Sequence, residues 1–505
     1  MLASIATFAL EGVDSREVTV EVDVRVGLPV FTVVGLPDAA VREARLRVRA
    51  ALQNSGLEFP MKRLTANLAP AWVRKAGPSF DLAIAVALLA ASGQLPVEEL
   101  ASSAVCGELS LSGALRPVRG AVAIAFGARE AGYRRLIVPI QNAAEAALVD
   151  GIEVLGAPSL ERMVELVKGE WTPPPSPPPP PPQPASSAAA ELDLADVRGQ
   201  LDAKRALEIA AAGGHNLLMI GPPGAGKTML ARRLPGILPA PSFEEALEIT
   251  RIQSVAGLGS GRLAHERPFR APHHTISSSG LIGGGTRPRP GEITLAHRGV
   301  LFLDELAEFS RAALEALREP LEEGRVAITR GQRSIVYPAD VMLIGACNSC
   351  PCARGQDDCQ CSPADRARYA RRLSAPLIDR IDLVCQLDGS PPIAEAVDPA
   401  GTTTAVRQRV AEARQRQRER LAASGVLTNA GMDARLTRRH VRLEKDAAKR
   451  LIAGHRRAAL SARGHDRVLR LARTIADLDG RERIGAADID EALGYRVNVP
   501  ALVAA

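Results

Sequence analysis

The chain has 505 residues, 46% of them hydrophobic, with 63 basic and 57 acidic side chains and a net charge of +6. That length calls for two or three domains with separate cores, and so small a charge excess identifies no partner by itself. No run is apolar enough to span a bilayer, and Met1–Ala6 lacks the charged start and apolar stretch of a signal peptide; a cytoplasmic protein without a membrane partner is expected.

In chain order, Val18, Val20, Val22, Val24 and Val26 alternate with polar residues, which predicts a half-buried strand over Glu17–Val26. Phe31–Val34 reads as a second strand, Val41–Asn54 and Asp81–Ala91 as helices, and Leu64–Leu68 and Arg135–Pro139 as further strands. Together they predict an α/β domain ending near Val167. Residues Thr172 to Ala190 are mostly proline, serine and alanine, with consecutive prolines from Pro177 to Pro182. Such a stretch cannot build a core and reads as an extended spacer.

Beyond the spacer, the apolar strand Asn216–Ile220 runs into Gly221-Pro222-Pro223-Gly224-Ala225-Gly226-Lys227-Thr228, and a helix follows. This is a P-loop at every fixed position: backbone N–H groups cradle phosphates, Lys227 reaches the β- and γ-phosphates of ATP, and Thr228 ligates Mg²⁺. Val300–Leu303 then ends in Asp304-Glu305, a Walker B pattern in which Asp304 holds Mg²⁺ and Glu305 polarises the attacking water. A helix over Arg311–Glu323 and a hairpin turning at Arg330–Arg333 come next. The strand Val341–Ile344 leads to Asn348, which is either a turn residue or a sensor of the γ-phosphate. Strands alternating with helices predict a mostly parallel sheet with ligand at the strand C-terminal ends. Arg380 is either a finger reaching a neighbouring subunit's nucleotide or a partner of Asp379 or Asp382. Five of seven cysteines fall between Cys347 and Cys361. Cys350, Cys352, Cys359 and Cys361 form two close pairs that could enclose a structural zinc, although C-x-C is tighter than the usual C-x-x-C. After Pro391 the chain reads as helical and arginine-rich.

Leu295–Glu305 resembles the Walker B region of magnesium-chelatase-type AAA+ ATPases. Ala210–Asn216, Phe269–Thr275 and Arg372–Leu377 resemble blocks of the bacterial ComM/YifB competence-protein family. The resemblance runs nearly end to end. It implies a ring-shaped ATPase, a homo-oligomer expected to be hexameric, that drives branch migration on single-stranded and branched DNA with little sequence preference. It also places the finger at Arg380 and a sensor-2 arginine at Arg463, with Arg467 as competitor. Arg330, Arg333 and the insert at His273-His274 resemble pore-facing elements, against the alternative of a solvated hairpin tip. Asn348-Ser349-Cys350-Pro351-Cys352-Ala353 departs from the family's N-P-C-P-C-G.

The first domain resembles the Lon-protease (S5 domain 2-like) fold through Asn67–Pro70, Gly77-Pro78-Ser79 and Gly107–Gly113. Ser79 falls on that fold's serine, but the lysine position falls on Val122, and no lysine occurs between Lys75 and Lys168. Serine without a base is a weak nucleophile, so proteolytic activity is not expected. The expected organisation is a Lon-like α/β domain (1–170), a proline-rich linker (171–190), an AAA+ core (191–390) and a helical lid (391–505). A chelatase-like ATPase remodelling a protein partner is the alternative function.

Overall fold

Alternating valines build the first sheet. The computed structural model describes residues 1–174, 192–285, 288–330, 333–352, 359–388, 401–458 and 460–497. In it β1 (Leu2–Glu11) and β2 (Asp14–Arg25) form an antiparallel hairpin that turns at Gly12, φ +70°. Val18, Val20, Val22 and Val24 are buried as expected, whereas Val26 lies beyond the strand end and is exposed. There follow β3 (Val30–Val34), α1 (Ala39–Asn54), β4 (Arg63–Ala69), α2 (Asp81–Ala91), β5 (Ser103–Val105) and the short pair β6 (Glu108–Leu109) and β7 (Leu115–Arg116). Then come α3 (Ala121–Glu130), β8 (Arg135–Pro139), α4 (Ile140–Ala146), β9 (Glu153–Ala157) and α5 (Leu160–Lys168). Seven strands share one sheet in the order β3-β4-β2-β1-β5-β8-β9.

Helix α1 starts at Asp38, whose carboxylate accepts the Val41 amide at 2.9 Å. Such a cap satisfies one of the orphan donors of the first turn. Every residue of α2 is buried, as a helix apolar on all faces but for its first residue requires. Its one charge, Asp81, is paired bidentately with Arg47 at 2.6 and 2.9 Å. Val122 is fully buried on α3.

The second part opens with α6 (Leu201–Gly213), β10 (Leu217–Ile220) and α7 (Lys227–Ile237). Next in sequence is α8 (Phe243–Ala256), but its packing lies elsewhere. The chain divides into two units, Met1–Gln183 with Phe243–Ala264, and Pro184–Ser242 with His265–Ala505. Within the first unit, the Gly120 amide donates to the Ser254 carbonyl at 3.1 Å. Arg251 pairs with Asp14 at 3.2 Å and lies over the Phe126 ring. The 191–390 span is therefore interrupted by a segment that belongs structurally to the first unit.

The second unit continues with β11 (Phe269–Arg270), α9 (Ser278–Ile282), β12 (Gly283–Gly284), β13 (Arg289–Pro290), α10 (Glu292–Leu295) and β14 (Val300–Leu303). Helices α11 (Arg311–Ala316) and α12 (Arg318–Glu323) replace the single helix expected there. Pro320 explains the break, because its ring would clash with the Ala316 carbonyl in a continuous helix. Next come β15 (Arg325–Arg330), β16 (Arg333–Pro338), β17 (Met342–Cys347), α13 (Pro363–Ala370), α14 (Ala375–Ile378) and β18 (Leu383–Gln386). Five strands form a wholly parallel sheet, β11-β14-β17-β10-β18. The strands β10, β14 and β17 are buried along their length, which is the condition of a parallel sheet covered on both faces.

The C-terminal helices are α15 (Thr403–Leu421), α16 (Ala434–His440), α17 (Lys445–Ala458), α18 (Ala462–Leu478) and α19 (Ala486–Val497). Helix α18 starts at Ala462 because Ser461 caps it, accepting the Gly464 amide at 3.1 Å. Residues 175–191, which include most of the proline spacer, and 389–400 lie outside the described residues, as do Gly331, Gln332 and the side chains of Arg330 and Arg333.

Candidate nucleotide-binding site

A parallel sheet gathers its strand C-termini at one edge, and three neighbouring strands deliver chemistry there. β10 leads into Gly221, β14 into Asp304 and β17 into Asn348, with Ile220 opposite Cys347 and Leu303 opposite Gly345. Gly224 and Gly226 adopt φ values of +77° and +90°. A Cβ at Gly224 would meet nothing within 4 Å, so backbone conformation rather than crowding calls for glycine there. The loop turns through an Ala225 amide to Pro222 carbonyl bond at 3.3 Å.

Lys227 opens α7 and folds over the loop, donating to the carbonyls of Gly221 and Pro222 at 2.7 and 2.8 Å and to Asn348 Oδ1 at 3.1 Å. Burial lowers its pKa, opposed by the nearby Cys347 and Asp304. The Thr228 hydroxyl donates to Asp304 Oδ2 at 2.7 Å. Neighbouring oxygens around Mg²⁺ with bonds near 2.1 Å stand about 3 Å apart, so this pair fits two adjacent positions of the ion's octahedron. Hard oxygen donors beside a nest of backbone amides suit a magnesium nucleotide. Asp304 Oδ1 also accepts the Glu305 amide at 3.0 Å, which sets the direction of the next side chain. Glu305 has φ +52°, unusual for a residue with a Cβ, and its carboxylate is half exposed.

The structure adds a neighbour that sequence reasoning missed. His274 Nδ1 lies 3.1 Å from Glu305 Oε2. The legible signal was that His274 follows the strand β11, which neighbours β14, but two residues in β11 are too few to read as a strand from sequence.

Arg380 is not paired with Asp379 or Asp382. Its Nε donates to the Arg318 carbonyl at 2.9 Å and Nη1 to the Pro376 carbonyl at 2.7 Å, and Nη2 meets the Glu322 carboxylate. Arg463 reaches the same carboxylate, Nη2 to Oε1 at 3.4 Å, so the expected finger and sensor arginines share one acid. Arg467 is elsewhere: buried, with Nε 3.5 Å from Asp382 Oδ1. Asp382 precedes β18, and its amide donates to the Asn216 carbonyl before β10. Arg467 thus sits at the end of the sheet opposite the P-loop and serves the fold there. Burial, with Arg496 and Arg470 adding to it against Asp382, depresses its pKa to about 10.

Ala210–Asn216 proves to be a structural hub at that same end. His215 is fully buried, with Nδ1 3.3 Å from Asp382 and Nε2 2.8 Å from Thr474 Oγ1 of α18. Asn216 bonds to the Arg380 carbonyl and the Leu343 amide at 2.9 and 2.8 Å. A Cβ on Gly213 would stand 2.2 Å from the His215 ring, so glycine is required for close approach.

The four cysteines converge. Cys350 and Cys352 sulfurs are 3.4 Å apart, Cys352 and Cys359 3.8 Å, and Cys359 and Cys350 3.5 Å, with Cys361 inside the same 4.8 Å group. A tetrahedral zinc with 2.3 Å bonds separates its sulfurs by about 3.8 Å, so the group has the size of a zinc site. Arg366 Nη2 lies 3.3 Å from Cys359 Sγ and adds a positive partner for a thiolate. Residues 353–358 between the pairs lie outside the described residues.

Three family models cover most of the chain: the magnesium chelatase subunit ChlI matches residues 193–393, subunit ChlI of Mg-chelatase residues 20–142, and the ChlI C-terminal part residues 400–496. The uncharacterized protein YifB of Escherichia coli (strain K12) is 45% identical over 98% of this chain and 97% of its own. The competence protein ComM of Haemophilus influenzae is 42% identical over 99% of this chain and 98% of its own. Lon protease 2 of Bacillus subtilis is 27% identical over 31% of this chain and 32% of its own, in keeping with a Lon-like first domain. Among the described residues no helix is long and apolar enough to cross a membrane.

Proposed function

The chain belongs to the ComM/YifB family of magnesium-chelatase-like AAA+ ATPases, and on that premise we propose that it is an ATP-driven ring motor that branch-migrates DNA during integration of single strands. The observation that carries the ATPase part is the joint placement of Lys227, Thr228, Asp304 and Asn348 at adjoining strand ends. The DNA part is supported by full-length similarity to a competence protein.

In this reading Lys227 leaves the loop carbonyls to bind the β- and γ-phosphates of ATP, and the loop amides bind the remaining charge. Bound Mg²⁺, held by Thr228 and Asp304, would supply charge neutralisation of the phosphates. Glu305 takes a proton from water as its oxygen bonds to the γ-phosphorus and the bond to the ADP oxygen breaks. Asn348 orients the water. Arg380 and Arg463 act on the nucleotide of the next subunit, which requires that both leave Glu322 on ring assembly. The four cysteines hold a structural zinc beside Asn348, and the first domain serves assembly or DNA contact without peptidase activity.

Steady-state ATP hydrolysis with and without single-stranded and branched DNA, with Glu305→Gln as control, tests the reading. Stimulation by DNA that vanishes in Glu305→Gln supports the motor. Hydrolysis indifferent to DNA in assembled rings would instead favour a chelatase-like ATPase that remodels a protein partner.

A further inference from the structure

Charge in the first unit is segregated along the chain. Residues 25–75 carry nine basic and three acidic side chains, whereas residues 1–24 and 76–170 together carry eight basic and sixteen acidic. Three of the nine form a stripe on α1: Arg42, Arg45 and Arg49 follow the i, i+3, i+7 spacing of one helix face, and all are exposed. Leu46 stands exposed among them, while Val41, Ala44, Val48 and Leu52 of the opposite face are buried. From Arg42 to Arg49 the stripe runs about 10 Å along the helix.

Among the described residues nothing neutralises this stripe. Arg42, Arg45 and Arg49 make no ion pair there, and Glu43, the one acid of α1, lies 3.8 Å from Arg47 instead. By contrast, Arg135 and Arg162 of the same unit each meet a glutamate, at 3.1 and 2.6 Å. Like charges three or four positions apart repel and weaken a helix, a cost to the fold that a bound anion would offset. The Arg49 guanidinium lies over the Phe59 ring, 5.4 Å from its centroid, and Phe59 packs on Phe31 at 6.2 Å. A guanidinium resting on an aromatic ring is held in place with its N–H donors still available to phosphate oxygens. Three residues beyond Phe59, Lys62 is exposed and also makes no ion pair among the described residues. A second copy of this face carries the same charge and would be repelled, so the occupant it fits is an anion. A duplex turns its bases inward, whereas a single strand offers phosphates to the arginines and base faces to Leu46 and the guanidinium planes.

We propose that the outer face of α1, together with Lys62, binds the backbone of single-stranded nucleic acid. The proposal rests on the DNA-motor reading and deepens it. It gives the first unit a strand-binding surface of its own, built from residues other than the hairpin and histidine segments that resemble pore-facing elements.

The test uses the full-length protein with a slowly hydrolysed ATP analogue and a labelled single-stranded oligonucleotide, read by fluorescence anisotropy across a salt series. Wild type is compared with the triple variant Arg42→Gln, Arg45→Gln, Arg49→Gln. A control triple, Arg134→Gln, Arg135→Gln, Arg162→Gln, removes equal charge elsewhere in the same unit. The α1 variant should bind about tenfold more weakly or worse at physiological salt. Its slope of log K against log salt should flatten by about two, since each lost phosphate contact removes about 0.7. The control should stay within about twofold of wild type, because salt screens charge remote from the contact. DNA-free ATP hydrolysis should be unchanged in both, which separates lost binding from a damaged fold, and Arg45→Glu alone should weaken binding in the same direction. An α1 variant with wild-type affinity and slope would overturn the proposal and leave the motor reading standing, as would equal weakening by the control. A wild type that binds no oligonucleotide would overturn the motor reading and the proposal with it. Val26 and Leu28 stand exposed within the basic stretch, so anionic phospholipid vesicles serve as a competing probe. An α1 variant that loses the vesicles and keeps the oligonucleotide would overturn the proposal and assign the face to a membrane surface.

Discussion

Asp382 shows what one buried charge organises. It faces His215, Arg467 and Arg470 at the junction of β10, β18 and α18. Burial alone would raise its pKa, but the hydrogen bond and charge of His215, with Arg470 and Arg467, bring it down to about 2. The unfolded value is about 3.9, so this carboxylate contributes stability fully above that pH and loses it as pH falls through about 2. Asp382→Asn leaves two arginines without their counter-charge and should cost about 3–5 kcal/mol at neutral pH. Urea unfolding at pH 7 and near pH 2.5 checks this, with the penalty shrinking at the lower pH. At the nucleotide site, Glu305→Gln should keep ATP binding while turnover falls about 10²–10⁴-fold, measured by equilibrium binding beside hydrolysis. Lys227, Thr228, Asp304 and Glu305 were legible because each sits at fixed spacing from a strand end. Glu322 as the partner of Arg380 was not, because it lies 58 residues away in sequence.

Among the elements, the segment from β17 to α13 joins Asn348 to the cysteine group. Cys350 is buried, two residues beyond Asn348, so any ion held by the four sulfurs would fix the loop that carries the candidate sensor. The purified protein should contain about one zinc per chain, and Cys359→Ser should lower that occupancy. Metal analysis together with thermal unfolding checks this, and a strong chelator should lower the unfolding temperature of wild type more than that of Cys359→Ser. Strands and long helices were readable from periodicity, and α1, α2 and β8 fall close to where alternation and helical spacing put them. The split between α11 and α12 was readable in principle from Pro320. The allegiance of α8 was not, because its partners Gly120, Asp14 and Phe126 are distant in sequence.

For the molecule as a whole, the proposed ring would decide whether the site is complete. Arg380 and Arg463 converge on Glu322, and none of their hydrogen bonds among the described residues reaches the P-loop of the same chain. A head-to-tail ring would bring this cluster to a neighbour's nucleotide. Arg380→Ala and Lys227→Ala should each abolish turnover, and an equal random mixture should recover about a quarter of the wild-type rate, since half the subunits keep a working P-loop and half of those meet an intact finger. A silent mixture of co-assembled rings would show that Arg380 does not act across the interface.

What the sequence alone determined is local. A P-loop, a Walker B pair and buried strands are dictated by spacing and periodicity, because backbone geometry fixes what residues a few positions apart can do together. Long-range pairing that no motif names was decided only in three dimensions: Glu305 with His274, Arg380 and Arg463 with Glu322, and α8 with α3. Such pairings depend on which strands lie side by side and which faces are left to pack. Sheet order and burial settle those, and no short window of sequence contains them.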